Sequence, residues 1–176
     1  MRSLTYDVAA SLDGFIAGPG GDVSAFPHEG AHVVAYQERL GSYQTVIMGR
    51  ATYEFGYAFG LQPGARAYPR MDHHIVSAGI DLPSGSDVSV IRGDIPGAVR
   101  RLKSKPGGDI YLCGGGRLAG LLLDAGLIDR VLIKRAPVIL GSGTPLFSDA
   151  DAHDLTPLGV EAYESGVVLE RYATRA

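Results

Sequence analysis

With 176 residues, 45% of them hydrophobic and 20% charged, the chain has the composition of a folded protein with room for one packed domain over 1–176 and too little length for two. The formal net charge of −3, with basic residues scattered along the chain, leaves no footprint for nucleic acid, and no apolar run is long enough for a membrane span. A single cysteine, Cys113, can form no internal disulfide and belongs to no ligand cluster, so a reducing cytoplasm is the expected setting and small buried packing its expected role.

In chain order, residues 4–10 (LTYDVAA) read as a strand, and Asp7 and Asp13 break the apolar character that a signal peptide would need. A Gly-rich loop follows, then a helix over 28–41 ended by Gly41. Residues 44–49 (QTVIMG) are continuously apolar, the pattern of a strand buried on both faces. Strands are expected at 73–78 and 87–92, and a helix over 94–105 has Asp94 as N-cap and Pro96 in its first turn. An apolar strand over 108–114 runs directly into a helix over 116–127. A strand over 129–140 comes next, with Pro137 where pairing must break. Two alternating runs around Glu164-Ser165-Gly166, within 155–175, have the form of a β-hairpin closing the sheet edge. The alternation of strands and helices predicts an α/β fold with a largely parallel sheet.

Three consecutive glycines, Gly114 to Gly116, stand where a strand turns into a helix. Such a turn exposes the first N–H groups of the helix at the carboxyl edge of the sheet, where the dipole favours an anion such as a phosphate. Gly114 to Ala119 fits GxGxxA, but too late in the chain for a standard dinucleotide fingerprint; tight packing of the helix on the sheet is the competing reason for these glycines. The stretch VIMGRATYEFG (46–56) repeats the design, with Gly49, Arg50 and Thr52. Arg50 and Arg117 can therefore grip the two ends of a phosphate-rich dinucleotide, and Ser77 is a third candidate at the same edge.

Together, VIMGRATYE, IVS, IYLCGGGRLAGLLLDAGLIDRVLI and SGVVLERY resemble the dihydrofolate reductase superfamily over nearly the whole chain. SLDGFIAGPGGD and APVILGSGTPLF are more similar to the branch holding the reductase domain of the bifunctional riboflavin-biosynthesis deaminase-reductase and its free-standing bacterial relatives. The resemblance implies a three-layer fold with helices on both faces of the sheet and a C-terminal antiparallel hairpin, and NADPH as cofactor. Gly49, Arg50 and Thr52 would lie near its phosphates, Ser77 would reach toward the 2′-phosphate, and Gly114, Gly115, Gly116, Arg117 and Leu118 would wrap the pyrophosphate. Ala10 and Ala17 match positions that cradle the nicotinamide, and relatives of this branch pair as homodimers.

The substrate end departs from true dihydrofolate reductases. PGGDVSAF keeps their acid and phenylalanine as Asp22 and Phe26, but the chain has no tryptophan, and no arginine stands where a folate tail would be clamped. Asp22 is expected either to bind an amino-heterocycle and support its protonation from a half-buried pocket, or to be an ordinary turn residue after Gly20-Gly21. Lys134 falls near a substrate position and can hold a phosphate or ring oxygen, or simply reach solvent. The expected activity is hydride transfer to a pterin-like or aminopyrimidine small molecule, with a ribosylaminouracil phosphate as the alternative substrate. A nucleotide-binding protein without catalysis is the alternative of another class. HEGAH (28–32) matches the zinc-protease pattern HExxH, but Pro27, Gly30, Ala35 and Glu38 are poor context for it, and no metal is expected.

Overall fold

Continuous apolar runs give this protein strands that bury both faces, and the computed structural model, which describes residues 1–174, sandwiches them between helices. The order is β1 (Leu4–Ala10), β2 (Phe15–Ala17), α1 (Ala31–Leu40), β3 (Tyr43–Gly49), α2 (Arg50–Phe55), β4 (Asp72–Val76), β5 (Val88–Ile91) and α3 (Ile95–Ser104). Then come β6 (Asp109–Gly114), α4 (Gly116–Asp124), β7 (Arg130–Arg135), β8 (Thr144–Pro145), β9 (Leu155–Ala162) and β10 (Val168–Thr174). The main sheet runs β5-β4-β3-β6-β1-β7-β10-β9. Its first six members are parallel, and the last two form the expected antiparallel hairpin, of which Arg175 lies outside the described residues. No helix among the described residues is long and apolar enough to cross a membrane.

Strand parity sorts the side chains into two layers. Leu4, Tyr6 and Val8 of β1, Ile110 and Leu112 of β6, and Val131 and Ile133 of β7 share one core with Val99 and Leu102 of α3 and Leu118, Leu122 and Leu123 of α4. Each leucine buried there contributes about 1.5–3 kcal/mol relative to exposure. Val46 and Met48 of β3, Ile75 and Tyr111 form the other core, covered by Tyr36 and Leu40 of α1 and Tyr53 of α2. Asp7, Cys113 and Lys134 have the parity of this second face. The α3 cap is as the sequence predicts: Asp94 Oδ1 accepts from Gly97 N at 2.8 Å, with Pro96 in the first turn.

Several boundaries differ from expectation: α4 ends at Asp124 and not at residue 127, β4 ends at Val76 and not at residue 78, and two others have a plain cause. The first helix starts at Ala31 and not at residue 28, because Gly30 has φ +114°, outside any helical conformation. The strand expected to run to residue 140 leaves the sheet after Arg135, two residues before Pro137. The small β2–β8 pair had no signal in the periodicity; it joins the first loop to Thr144 and Pro145.

Candidate active site

A cleft of about 480 Å³ opens at the carboxyl ends of β1, β6 and β7. It is bounded by Val8 and Ala9, by Ile16, Ala17, Val23 and Phe26 of the first loop, by His32, Val33 and Tyr36 of α1, and by Thr52 and Phe55 of α2. Cys113, Gly114, Gly115, Lys134, Thr144 and the exposed His28 also line it.

The three glycines have three different reasons. Gly114 has φ +140°, which side chains rarely adopt. The peptide joining it to Gly115 is cis. Gly115 itself has an ordinary φ of −54° and borders the cleft, where an added Cβ would meet nothing closer than Thr52 Oγ1 at 3.7 Å. At Gly116 an added Cβ would lie 2.2 Å from the Pro145 carbonyl oxygen, so this glycine is required by packing. The packing reading of the sequence therefore applies to Gly116, and Gly115 leaves the room that the ligand reading requires. Gly115 is the N-cap of α4 and Gly49 that of α2, and neither helix has a side-chain cap, so their first N–H groups stand at the sheet edge.

Around Asp7 the chain gathers charge. Asp7 is fully buried; its Oδ1 accepts from Lys134 Nζ at 2.6 Å and its Oδ2 from Arg39 Nε at 2.9 Å. Lys134 Nζ also sits 3.7 Å from the centre of the Tyr36 ring, a cation–π contact. Burial pulls the Lys134 ammonium below the usual lysine range, against the opposing pull of Asp7. Tyr36 and Tyr111 join their hydroxyls at 2.7 Å, and Tyr68 Oη lies 3.4 Å from Cys113 Sγ. Burial pushes the Cys113 thiol and the Tyr36 phenol up, so both stay protonated at neutral pH.

His32, also buried, donates from Nε2 to the Pro27 carbonyl at 3.2 Å, and its Nδ1 pairs with the Ser165 hydroxyl at 2.9 Å. It spans from the first loop to the β9–β10 turn. His28 is exposed and precedes the helix, so the two histidines of HEGAH do not share a helix face. Among the described residues no group of three or more His, Cys, Asp or Glu side chains is placed to hold a metal ion.

The first loop is laced to the segment after β7. Asp13 accepts from the Ser11 hydroxyl at 2.6 Å, from Leu140 N at 3.1 Å and from Gly141 N at 2.7 Å, which together hold its carboxyl at about 2. Leu12 N donates to the Val138 carbonyl and Leu146 N to that of Gly14, each at 2.8 Å. Gly143 completes the lacing: a Cβ there would sit 2.0 Å from the Ala17 carbonyl oxygen.

Of the residues singled out in the sequence, Ala17, Phe26, Thr52, Gly114, Gly115 and Lys134 meet at the cleft. Gly49, Arg50, Gly116 and Arg117 flank it at the starts of α2 and α4. Arg50 is exposed and bonds Glu54 at 2.7 Å, while Arg117, 90% exposed, lies 3.7 Å from Asp149. The others differ from expectation. Asp22 is exposed, not half-buried; it accepts from Ser24 N at 2.9 Å, a bond that lowers its pKa and keeps it an ionised turn residue with no proton to give at neutral pH. Ser77 does not line the cleft; its hydroxyl oxygen accepts from Gly79 N and Ile80 N at 3.3 and 2.9 Å. Ala10 and the Leu118 side chain belong to the hydrophobic core, which leaves only the Leu118 backbone N–H at the helix start. Asp7, Arg39, Tyr36 and His32 had no assigned role from sequence.

Known proteins share the fold and family of this chain. YwjB of Bacillus subtilis (strain 168) is 32% identical over 158 residues, covering 88% of this chain and 85% of its own length. A putative riboflavin biosynthesis protein from Shewanella sp. PV-4 has the same fold, with a TM-score of 0.80, 24% identity and complete coverage of both chains. A pyrimidine reductase-like protein from Corynebacterium diphtheriae superposes with a TM-score of 0.76 at 15% identity, over 99% of this chain and 92% of its own. Residues 2–169 match the model of the RibD C-terminal domain. With a family match over nearly all its length and the corresponding fold around an open glycine turn, the chain belongs to the RibD C-terminal domain family.

Proposed function

We propose that the chain is an NADPH-dependent oxidoreductase that delivers a hydride to a small aminopyrimidine or pterin-like ring, in the cytoplasm and as a homodimer. The observation that carries this reading is the open space beside Gly115 at the uncapped start of α4. A helix N-terminus without a cap favours an anion, and a glycine lets that anion approach the backbone. Gly49, Thr52, Gly114 and Gly115 would hold the pyrophosphate there, with the guanidinium groups of Arg50 and Arg117 free enough to turn to its phosphates. When bound, the dihydronicotinamide supplies the hydride. Ala17 and Ala9 offer it a flat apolar surface, and Phe26, Val33 and Tyr36 exclude water from the acceptor ring.

The names of the Shewanella and Corynebacterium proteins favour an aminopyrimidine acceptor over folate, as does the missing first-loop tryptophan. A ribosylaminouracil phosphate is the acceptor to try first. The test of the reading is a calorimetric titration with NADPH of the wild type beside Arg50→Ala, which should bind about 1.5–3 kcal/mol more weakly if the guanidinium holds a phosphate. A wild type that takes up no NADPH would sink the reductase reading.

The homodimer rests on β9. Among the described residues this outermost strand pairs on one side only, with β10, and shows Leu158 and Val160 to solvent at 56% and 68% exposure. An open edge bearing apolar side chains is a template for a second strand. Sedimentation equilibrium should return the mass of two chains, and Val160→Lys the mass of one. A monomeric wild type would remove the dimer from the reading.

A further inference from the structure

Hydride transfer leaves a negative charge on the acceptor, and a proton must reach it. Asp22, the acid suggested by the sequence, is exposed and ionised outside the cleft. Among the polar side chains that line the cleft, most are engaged elsewhere. Both ring nitrogens of His32 are taken by Pro27 and Ser165. The Tyr36 hydroxyl is joined to that of Tyr111, and the Cys113 thiol to that of Tyr68. Thr52 and Thr144 carry hydroxyls too weakly acidic to serve. Two groups remain, His28, which lines the cleft but is exposed and held by no hydrogen bond among the described residues, and Lys134, which is buried and held in place. The Lys134 ammonium has three N–H groups, and Asp7 is its one hydrogen-bond partner among the described residues.

We propose that Lys134 is the proton donor of the reduction, giving a proton from Nζ to the ring nitrogen or oxygen as the adjacent carbon takes up the hydride. The proposal rests on the reductase reading above. In the step a new C–H bond forms from the hydride and the acceptor π bond opens onto the heteroatom. One Nζ–H bond breaks as the heteroatom–H bond forms, the acceptor is reduced and the nicotinamide oxidised, and Nζ regains its proton from water.

The surroundings suit that task. Asp7 carries one negative charge against the two positive charges of Lys134 and Arg39, so the cluster has a surplus positive charge at the place where negative charge develops. Tyr36 and Asp7 fix Nζ from two sides, so little reorganisation is needed. The groups facing Lys134 are Asp7 from β1, Arg39 and Tyr36 from α1 and Cys113 from β6, while its register partner on β10 is the apolar Leu169. Burial and Arg39 disfavour the ammonium and Asp7 favours it, with burial the largest effect. A donor must be protonated, so activity is present below the Lys134 pKa and lost as pH rises through it, at a lower pH than an ordinary lysine would give.

Lys134→Met and Lys134→Arg separate proton donation from charge. With NADPH and a ribosylaminouracil phosphate as acceptor, Lys134→Met should lower kcat by roughly 10²–10⁴-fold, abolish the alkaline limb and leave KM for NADPH nearly unchanged. Lys134→Arg keeps the charge but cannot release a proton near neutrality, so it should lose kcat as well. Calorimetry of the same acceptor on NADP+-loaded protein, where no turnover occurs, should show Lys134→Arg binding like the wild type and Lys134→Met binding about tenfold more weakly, as for a lost hydrogen bond to a charged group. A Lys134→Met enzyme that keeps kcat and its alkaline limb overturns the proposal, as does a limb that disappears with His28→Ala instead. If the wild type binds NADPH but does not oxidise it with this acceptor, equal acceptor binding by wild type and Lys134→Met overturns the proposal while the reductase reading stands. If NADPH does not bind at all, the reductase reading fails first and takes the proton donor with it.

Discussion

A Gly115→Asp variant should fold as the wild type does and bind no NADPH. The backbone at Gly115, with φ −54°, is outside the left-handed region that favours glycine, and the added Cβ finds only an ordinary contact with Thr52 Oγ1 at 3.7 Å. A carboxylate at this N-cap even favours α4, by about 0.3–1 kcal/mol, through the helix dipole. The same carboxylate occupies the pyrophosphate seat with charge of the wrong sign, and a loss of binding of at least about 100-fold is expected from a buried like-charge clash of several kcal/mol. Thermal unfolding and NADPH calorimetry on one preparation check both halves. Gly116→Ala is the internal contrast. Its Cβ would collide with the Pro145 carbonyl oxygen at 2.2 Å, and relieving that clash should cost about 1–3 kcal/mol of stability. If Gly115→Asp still binds NADPH normally, the glycine turn is not the cofactor seat, whatever else the cleft does.

The largest stability effect is expected at Asp7. Asp7→Asn preserves the shape of the side chain and removes its charge, stranding Lys134 and Arg39 together beneath α1. Breaking a buried pair in this way costs about 3–5 kcal/mol, a substantial part of the ~5–15 kcal/mol that holds a typical domain together. Denaturant unfolding should show the midpoint falling steeply with little change in slope. Lys134→Met should be milder, because Asp7 keeps Arg39 at 2.9 Å. A second consequence links stability to chemistry. Without the carboxylate the Lys134 pKa drops further, so the alkaline limb of any remaining activity moves to lower pH. An Asp7→Asn protein as stable as the wild type would mean that the cluster is neutralised by other means and would weaken the argument for a surplus charge.

What could be read from the sequence, and what could not, follows the range of the interactions. Strands such as QTVIMG and IYLC declare themselves because their apolar runs are continuous, and the α3 cap because Asp94 bonds a residue only three positions away. The glycine turn between β6 and α4 was legible for the same reason. Asp22 was misread because a local hydrogen bond from Ser24 N already holds it as an exposed turn residue. The HEGAH pattern fails at one torsion, the φ of +114° at Gly30. The Asp7 cluster joins residues 32 and 127 positions apart, and no local rule connects them. One signal did exist: Asp7 and Lys134 are charged residues at inward positions of strands that are otherwise apolar, and such residues are almost never fully buried without a partner.

The lacing of the first loop to the segment after β7 bears on how such a chain can change over generations. Asp13, Leu12 and Gly14 are tied to Leu140, Gly141, Val138 and Leu146, and Gly143 admits the Ala17 carbonyl at a distance that leaves no room for a side chain. An insertion in either segment by itself would slip every one of these ties out of step, although both run over the surface, where length changes are ordinarily tolerated. Drift in the two segments must therefore be correlated, in length as well as in residue type, and a cleft wall that looks free to vary can be re-lengthened only by changing both halves of the lacing at once.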